Sequence, residues 1–127
     1  MERAVEVFVL INVVVIGFSH ALAPAAWVQF FKVLGEKGHA GSLANGFLSL
    51  TFGSIIVAFH WTWDGFVPAT VTFLGVAQVI KSFVAFVLPS VGLRSITQTR
   101  ATRESSYRYG GVLFLVYGAL LAWHLFA

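Results

Sequence analysis

The chain has 127 residues, of which 58% are hydrophobic and only 10% are charged, and its mean hydropathy is +0.87. Soluble domains carry roughly 25% charged residues, so this chain has too few charges to cover a folded surface in water, and we expect an integral membrane protein. The net charge of +3 does not indicate a nucleic-acid partner, because no basic run is interleaved with aromatic residues, and the absence of cysteine excludes disulfides and thiolate chemistry.

Four apolar runs reach the ~20 residues that a helix needs to cross a hydrocarbon core ~30 Å thick. The predicted spans are residues 5–23, 42–62, 67–88 and 109–127. The first run has the length of a signal peptide, but we expect the protein to retain it, because its start is not positively charged and Pro24 would follow the cleavage site. The predicted fold class is therefore all-α, with one transmembrane domain of four helices over residues 1–127.

Two polar, basic connections follow the first and third spans. After Pro24, the aromatic residues Trp27, Phe30 and Phe31 recur at helical spacing, which predicts a short amphipathic helix in the membrane interface. Pro89 ends the third span in the same way, since proline donates no backbone hydrogen bond, and a second interfacial helix can follow it.

The distribution of basic residues predicts the orientation of the chain. Six Lys or Arg residues lie in the two connections, 32–41 and 90–108. The opposite side carries only Arg3, together with a turn in which Trp61 and Trp63 are typical of the headgroup region. The positive-inside rule therefore predicts a multi-pass cell-membrane protein with both basic connections in the cytoplasm and both termini outside.

The two halves of the chain match at an offset of 65 residues. The matching pairs are Pro24 with Pro89, Gly46 with Gly111, and Gly53 with Gly118. A duplication would give two repeated helical hairpins related by an axis along the membrane normal, although matches this short also arise by chance in so apolar a sequence. In either case the glycines indicate close helix packing, because small residues let helix backbones approach each other in lipid.

Polar residues within the spans are the strongest candidates for function, because ionisable groups in a membrane are costly. Lys81 lies in the half of the third span that is nearer the cytoplasm, and His20, Asn45 and Gln78 lie at a similar depth. These four residues would form one ligand-binding pocket, and an anionic or neutral ligand suits it because no acidic residue neutralises Lys81. The alternative is that Lys81 extends its ammonium group to the nearer interface and binds nothing.

His60 and His124 form a second candidate site, since each lies near the outer end of a span that contains glycine. Two facing histidines in a helical bundle can bind haem iron as axial ligands, so a haem cofactor is one hypothesis. A metal ion would need a third ligand, for which Glu2, Glu6 or Asp64 is available. The alternative is that both histidines lie in the headgroup region beside tryptophan.

No catalytic motif is present and no acidic residue lies plainly inside a span, so an enzyme is disfavoured, as is a proton-coupled carrier that needs an intramembrane carboxylate. The first functional hypothesis is a homo-oligomeric channel or carrier for a small anionic or neutral solute, because four helices hardly enclose a pore. The second is a haem-binding or redox protein that uses His60 and His124. The third is an accessory subunit of a larger membrane complex, with the basic segment 94–108 as its partner surface.

Overall fold

The computed structural model describes all 127 residues, as six α-helices and one π-helical turn without any β-strand. The elements in chain order are α1 (Glu2–Leu22), α2 (Pro24–Glu36), α3 (His39–Phe59), α4 (Phe66–Val87), α5 (Pro89–Ser95), the π-helical turn (Ile96–Arg100) and α6 (Glu104–Phe126). The helices α1, α3, α4 and α6 are each long and apolar enough to cross a membrane. The predicted all-α fold with four membrane helices is therefore confirmed.

Each half of the chain is a long helix, a sharp turn at proline, a short helix and a second long helix. Pro24 and Pro89 occupy the first positions of α2 and α5, where a helix does not need the missing N–H group. The preceding residues leave the helical conformation with similar angles, φ −131° and ψ 51° at Ala23 against φ −123° and ψ 64° at Leu88. The interfacial helix predicted after Pro24 is α2, and α5 with the π-helical turn takes the equivalent place after Pro89.

The four long helices pack as two pairs, α1 with α6 and α3 with α4. Glycine lets the backbones touch in each pair. A β-carbon added at Gly53 would lie 2.9 Å from the carbonyl oxygen of Gly75, and one added at Gly111 would lie 2.7 Å from that of Gly17. Such close packing holds helices together in lipid, where no hydrophobic effect drives them to associate.

The two pairs are equivalent at the offset of 65 residues. The side chains or backbone around Gly118 belong to Leu10, Val13 and Val14, and those around Gly53 belong to Gly75, Gln78 and Val79. Since each neighbour of Gly53 is 65 positions later than a neighbour of Gly118, α3 packs on α4 in the same register as α6 packs on α1. The paired helices come from different halves of the chain, so each half packs on the other rather than folding as a closed hairpin of its own.

The bundle has two ends that differ in the chain segments they contain. We call the end with both chain termini and the connection 60–65 the terminal end, and the end with α2, α5 and the π-helical turn the loop end. Buried apolar residues from all four long helices close the bundle towards the terminal end, and we call them the apolar plug. They are Val5, Val9, Val13, Ile56, Val71 and Leu121.

Substitution of one glycine tests the packing of the pairs. We expect Gly53→Ala to destabilise the protein by about 1–3 kcal/mol, because the new methyl group overlaps the α4 backbone and overpacking costs this much. Gly110→Ala is the matched control, since nothing lies within 4 Å of a β-carbon at that position. Thermal unfolding in detergent, followed by circular dichroism, measures both; equal midpoints for the two variants would contradict the assigned seam.

Candidate functional site

A cavity of about 600 Å³ lies between the two helix pairs and extends from the apolar plug towards the loop end. It forms where α1 and α3 are apart. Its walls come from α1, α2, α3, α4 and the π-helical turn, with one further residue, Phe114, from α6. Most of its lining is apolar, and the polar or charged lining residues are Asn12, His20, Asn45, Ser49, Thr51, Gln78, Lys81 and Arg100. A volume of several hundred cubic ångströms with a few polar groups is typical of a small-molecule site.

All four residues predicted as a pocket line this one cavity. His20 comes from α1, Asn45 from α3, and Gln78 and Lys81 from α4. They meet because they lie at one level along helices that surround the same space. Lys81 lines this space and is half-buried in the bundle. That a ligand binds there remains a prediction.

Sequence reasoning missed Arg100, which is the last residue of the π-helical turn and lines the cavity. The guanidinium carbon lies 5.2 Å from the centre of the Phe31 ring, a cation–π contact that holds it against the wall. The sequence shows Arg100 only as one of several basic loop residues, and nothing in its spacing indicates that the turn directs it inwards. Asn12 was also missed, although a polar residue in the middle of an apolar span is itself a signal.

The cavity is electropositive. Lys81 and Arg100 both line it, no carboxylate does, and neither cation takes part in an ion pair. Two cations that line one cavity repel each other. An anion bound between them would replace this repulsion with attraction in a medium of low dielectric constant, where such interactions are strong.

Aromatic rings form the wall of the cavity on the side of α2. Trp27, Phe30 and Phe31 line it, together with Phe114 of α6. Trp27 is fixed by a 2.8 Å hydrogen bond from its indole N–H to the Ser19 hydroxyl oxygen. This wall gives the cavity a flat apolar surface next to its cations.

The His20 ring is held in one orientation beside this wall. Its Nδ1 lies 2.9 Å from the carbonyl oxygen of Ile16, so Nδ1 carries the proton and donates it there. The ring centre lies 4.1 Å from that of Trp27. The other ring nitrogen, Nε2, is therefore the atom of His20 that remains for a ligand.

The aromatic wall beside α1 and α6 has no counterpart beside α3 and α4. The Tyr107 ring of α6 packs near those of His20 and Trp27, and the positions equivalent to His20, Trp27 and Tyr107 are Ala85, Gly92 and Ser42. The hydroxyl of Ser42 donates to the carbonyl oxygen of Ala85 at 3.2 Å, and a β-carbon at Gly92 would collide with that hydroxyl. Small residues thus let α5 pack directly on α3 and α4, whereas aromatic residues occupy the equivalent place between α2 and the pair of α1 and α6.

A second polar cluster lies at the terminal end. Glu6 is 6% exposed and His60 is fully buried. The Glu6 carboxyl group lies 3.0 Å from His60 Nε2 through Oε1, and 3.7 Å from His124 Nε2 through Oε2. Glu6 lies at the start of the first predicted span, and its carboxyl group is buried between the helices. Its place in the first two turns of α1 suggests a headgroup position, but the side chain points inwards.

The cluster does not have the geometry of a haem site. Both ring nitrogens of His60 are engaged, Nδ1 with the Thr72 hydroxyl oxygen at 3.0 Å and Nε2 with Glu6. Glu6, rather than an open slot, lies between His60 and His124. No three His, Cys, Asp or Glu side chains are placed to hold a metal ion either. Haem ligation through His60 Nε2 would require its hydrogen bond to Glu6 to break.

Comparison with known proteins adds no assignment to this geometry. No protein-family model, no curated protein and no solved structure matches the chain.

Proposed function

We propose that this protein is a membrane carrier for a small organic anion, which it binds in the cavity beside Lys81 and Arg100. The observation that carries the proposal is the pair of unpaired cations in a cavity without any carboxylate. An isolated charge within a membrane protein is costly, and a bound anion offsets that cost for both cations at once.

The walls of the cavity favour an anion that also has a flat apolar part. Trp27 and Phe31 offer ring faces, and the ring of an aromatic ligand packs well on such faces. An inorganic anion would leave most of the space beside these rings unfilled. We therefore propose an aromatic or similarly amphipathic carboxylate or sulfonate as the class of ligand, with Asn45 and Gln78 as further hydrogen-bond donors.

The closed terminal end favours a carrier over a channel. The cavity shares Val13 with the apolar plug, and its walls Phe8 and Phe114 pack against that plug, so no polar path continues to the other end. Two equivalent helix pairs that rock about a central site give access to one side at a time, as in transporters built from repeats. The cavity lies inside one chain, so binding itself does not require the homo-oligomer that a pore would need.

The position of Arg100 also favours the carrier over the accessory-subunit hypothesis. That hypothesis uses the basic segment 94–108 as a partner surface, but Arg100 is directed into the cavity and contacts Phe31. We further propose that the loop end is cytoplasmic, supported by its six basic residues. With this orientation the cavity lies on the cytoplasmic side of the apolar plug.

Removal of the Lys81 charge tests the anion site. We expect Lys81→Gln to weaken binding of benzenesulfonate about tenfold to a hundredfold, because a hydrogen bond to a charged group contributes about 1.5–3 kcal/mol and each 1.4 kcal/mol is a factor of ten. Quenching of tryptophan fluorescence in detergent measures the affinity, since Trp27 lines the cavity. Uptake of radiolabelled benzenesulfonate into proteoliposomes should fall in parallel.

The matched control is Lys32→Gln, which removes the same charge from an exposed position of α2 outside the cavity. Methanesulfonate, which lacks the ring, should bind more weakly than benzenesulfonate to the unmodified protein. Equal affinity of the Lys81 and Lys32 variants for benzenesulfonate would show that this cavity is not the anion site.

The proposed orientation is testable because the chain contains no cysteine. Asp64 in the connection 60–65 and Gln98 in the π-helical turn are both exposed. We expect a membrane-impermeant maleimide to label Asp64→Cys on intact cells, and to label Gln98→Cys only after the membrane is permeabilised. The reverse pattern would show that the loop end is outside.

A further inference from the structure

We propose that Glu6 and His60 form a binding site for one exchangeable proton, and that this proton latches the terminal end of the bundle shut. The site rests on the hydrogen-bond geometry of the buried cluster alone. Its consequence for transport, control of access from the terminal side, rests on the proposed carrier function.

The hydrogen bonds around Thr72 determine where the protons lie. The Thr72 hydroxyl has one proton, and the carbonyl oxygen of Thr62, 2.7 Å away, is its shortest acceptor. That hydroxyl oxygen must therefore accept from His60 Nδ1, which lies 3.0 Å from it. His60 thus carries its first proton on Nδ1, directed away from Glu6.

The contact between His60 Nε2 and Glu6 Oε1 then requires exactly one more proton. At 3.0 Å the two atoms form a hydrogen bond only if a proton lies between them. Either His60 is a cation beside a carboxylate, or neutral His60 accepts from a protonated carboxyl group. In both cases the pair as a whole shares a single proton between these two atoms.

This proton lies where the two helix pairs meet. Glu6 belongs to α1 in one pair, and His60 directly follows α3 in the other. Only two side-chain hydrogen bonds join the pairs, the one between Glu6 and His60 and the 2.9 Å bond between Thr70 and Tyr117. Loss of the proton leaves a nitrogen lone pair facing a carboxylate oxygen, so an attractive contact across the interface becomes repulsive.

The groups around the pair provide a route for the proton to the terminal side. His124 of α6 lies 3.7 Å from Glu6 Oε2, and 38% of its side chain is exposed. A proton can therefore pass from water to His124, from His124 to Glu6, and back, without any other reactant. Tyr117 of α6 bonds to Thr70, and the guanidinium of Arg3 on α1 donates to the backbone oxygen of Leu125, so neither supplies a counter-charge at hydrogen-bond distance.

The latch is tested by measuring the separation of the two pairs at the terminal end as the pH changes. Spin labels on Trp61→Cys, beside His60, and Trp123→Cys, beside His124, report this separation, and both positions are exposed. We expect the distance between the labels, measured by pulsed electron paramagnetic resonance in nanodiscs, to lengthen at alkaline pH and to shorten again on acidification. An unchanged distance in the otherwise unmodified protein would overturn the proposal without any further variant.

Glu6→Gln separates the latch from a general effect of pH. Its amide N–H can donate permanently to His60 Nε2, as the protonated carboxyl group does, so the labels should stay at the shorter distance throughout. Glu2→Gln is the matched control, because it removes a carboxylate from the same helix at an exposed position and should behave as the parent protein. A pH response in Glu6→Gln equal to that of Glu2→Gln would overturn the proposal.

The latch and the anion site fail independently. Benzenesulfonate affinity of the same samples tests the cavity beside Lys81, and loss of that affinity would end the carrier proposal while the label distances still report on the proton site. If benzenesulfonate binds but the distance between the spin labels does not change with pH, the anion-site proposal stands and the latch proposal is wrong.

Discussion

Close backbone contact at two glycine seams is the constraint on which the rest of this structure depends. Lipid tails are as apolar as leucine side chains, so membrane helices need close packing and polar contacts to associate. The seams at Gly17 and Gly111 and at Gly53 and Gly75 provide that packing within each pair. No glycine seam lies between the pairs, so the pairs separate around a cavity towards the loop end. At the terminal end, the apolar plug and two side-chain hydrogen bonds join the pairs instead.

The features that depend only on the position of a residue along the chain, such as helix ends and depth in the membrane, could be predicted from the sequence. Hydropathy determines the four helices, and proline determines where two of them end. Depth in the membrane follows from position along a helix, which is why His20, Asn45, Gln78 and Lys81 line one cavity. The equivalence of Gly53 and Gly118 extends from the sequence to the packing of their neighbours.

Two features could not be predicted in this way, because they depend on how each helix is rotated about its axis and on which helix it packs against. Glu6 lies close enough to a helix end to belong in the headgroups, and only the pairing of α1 with α6 and its contact with the end of α3 bury it beside His60. Arg100 enters the cavity because a π-helical turn redirects the chain. Both residues depend on contacts that are remote in sequence, and hydrophobic periodicity carries no information about them.

The equivalence of the two halves makes their differences informative. At positions 65 residues apart, polar residues of one half correspond to apolar or small residues of the other: Lys81 to Ile16, Gln78 to Val13, His20 to Ala85, and Glu6 to Val71. A symmetric chain would place two lysines at the cavity, or a second carboxylate in the centre of the plug where Val71 is fully buried. Like charges so close together in a low dielectric would force the pairs apart.

The glycines on α3 and α6, by contrast, are the same in both halves at Gly46 and Gly111 and at Gly53 and Gly118, whereas Gly17 and Gly75 correspond to Ser82 and Leu10. The shared glycines of α3 and α6 therefore form one set of positions, and the residues that face the spaces between the pairs form a second set. Because the second set differs between the halves, the bundle has one cationic cavity and one buried carboxylate at opposite ends of the apolar plug. In the proposed carrier, the anion site and the proposed proton latch would therefore lie on the same pair of helix pairs, at different ends of the apolar plug.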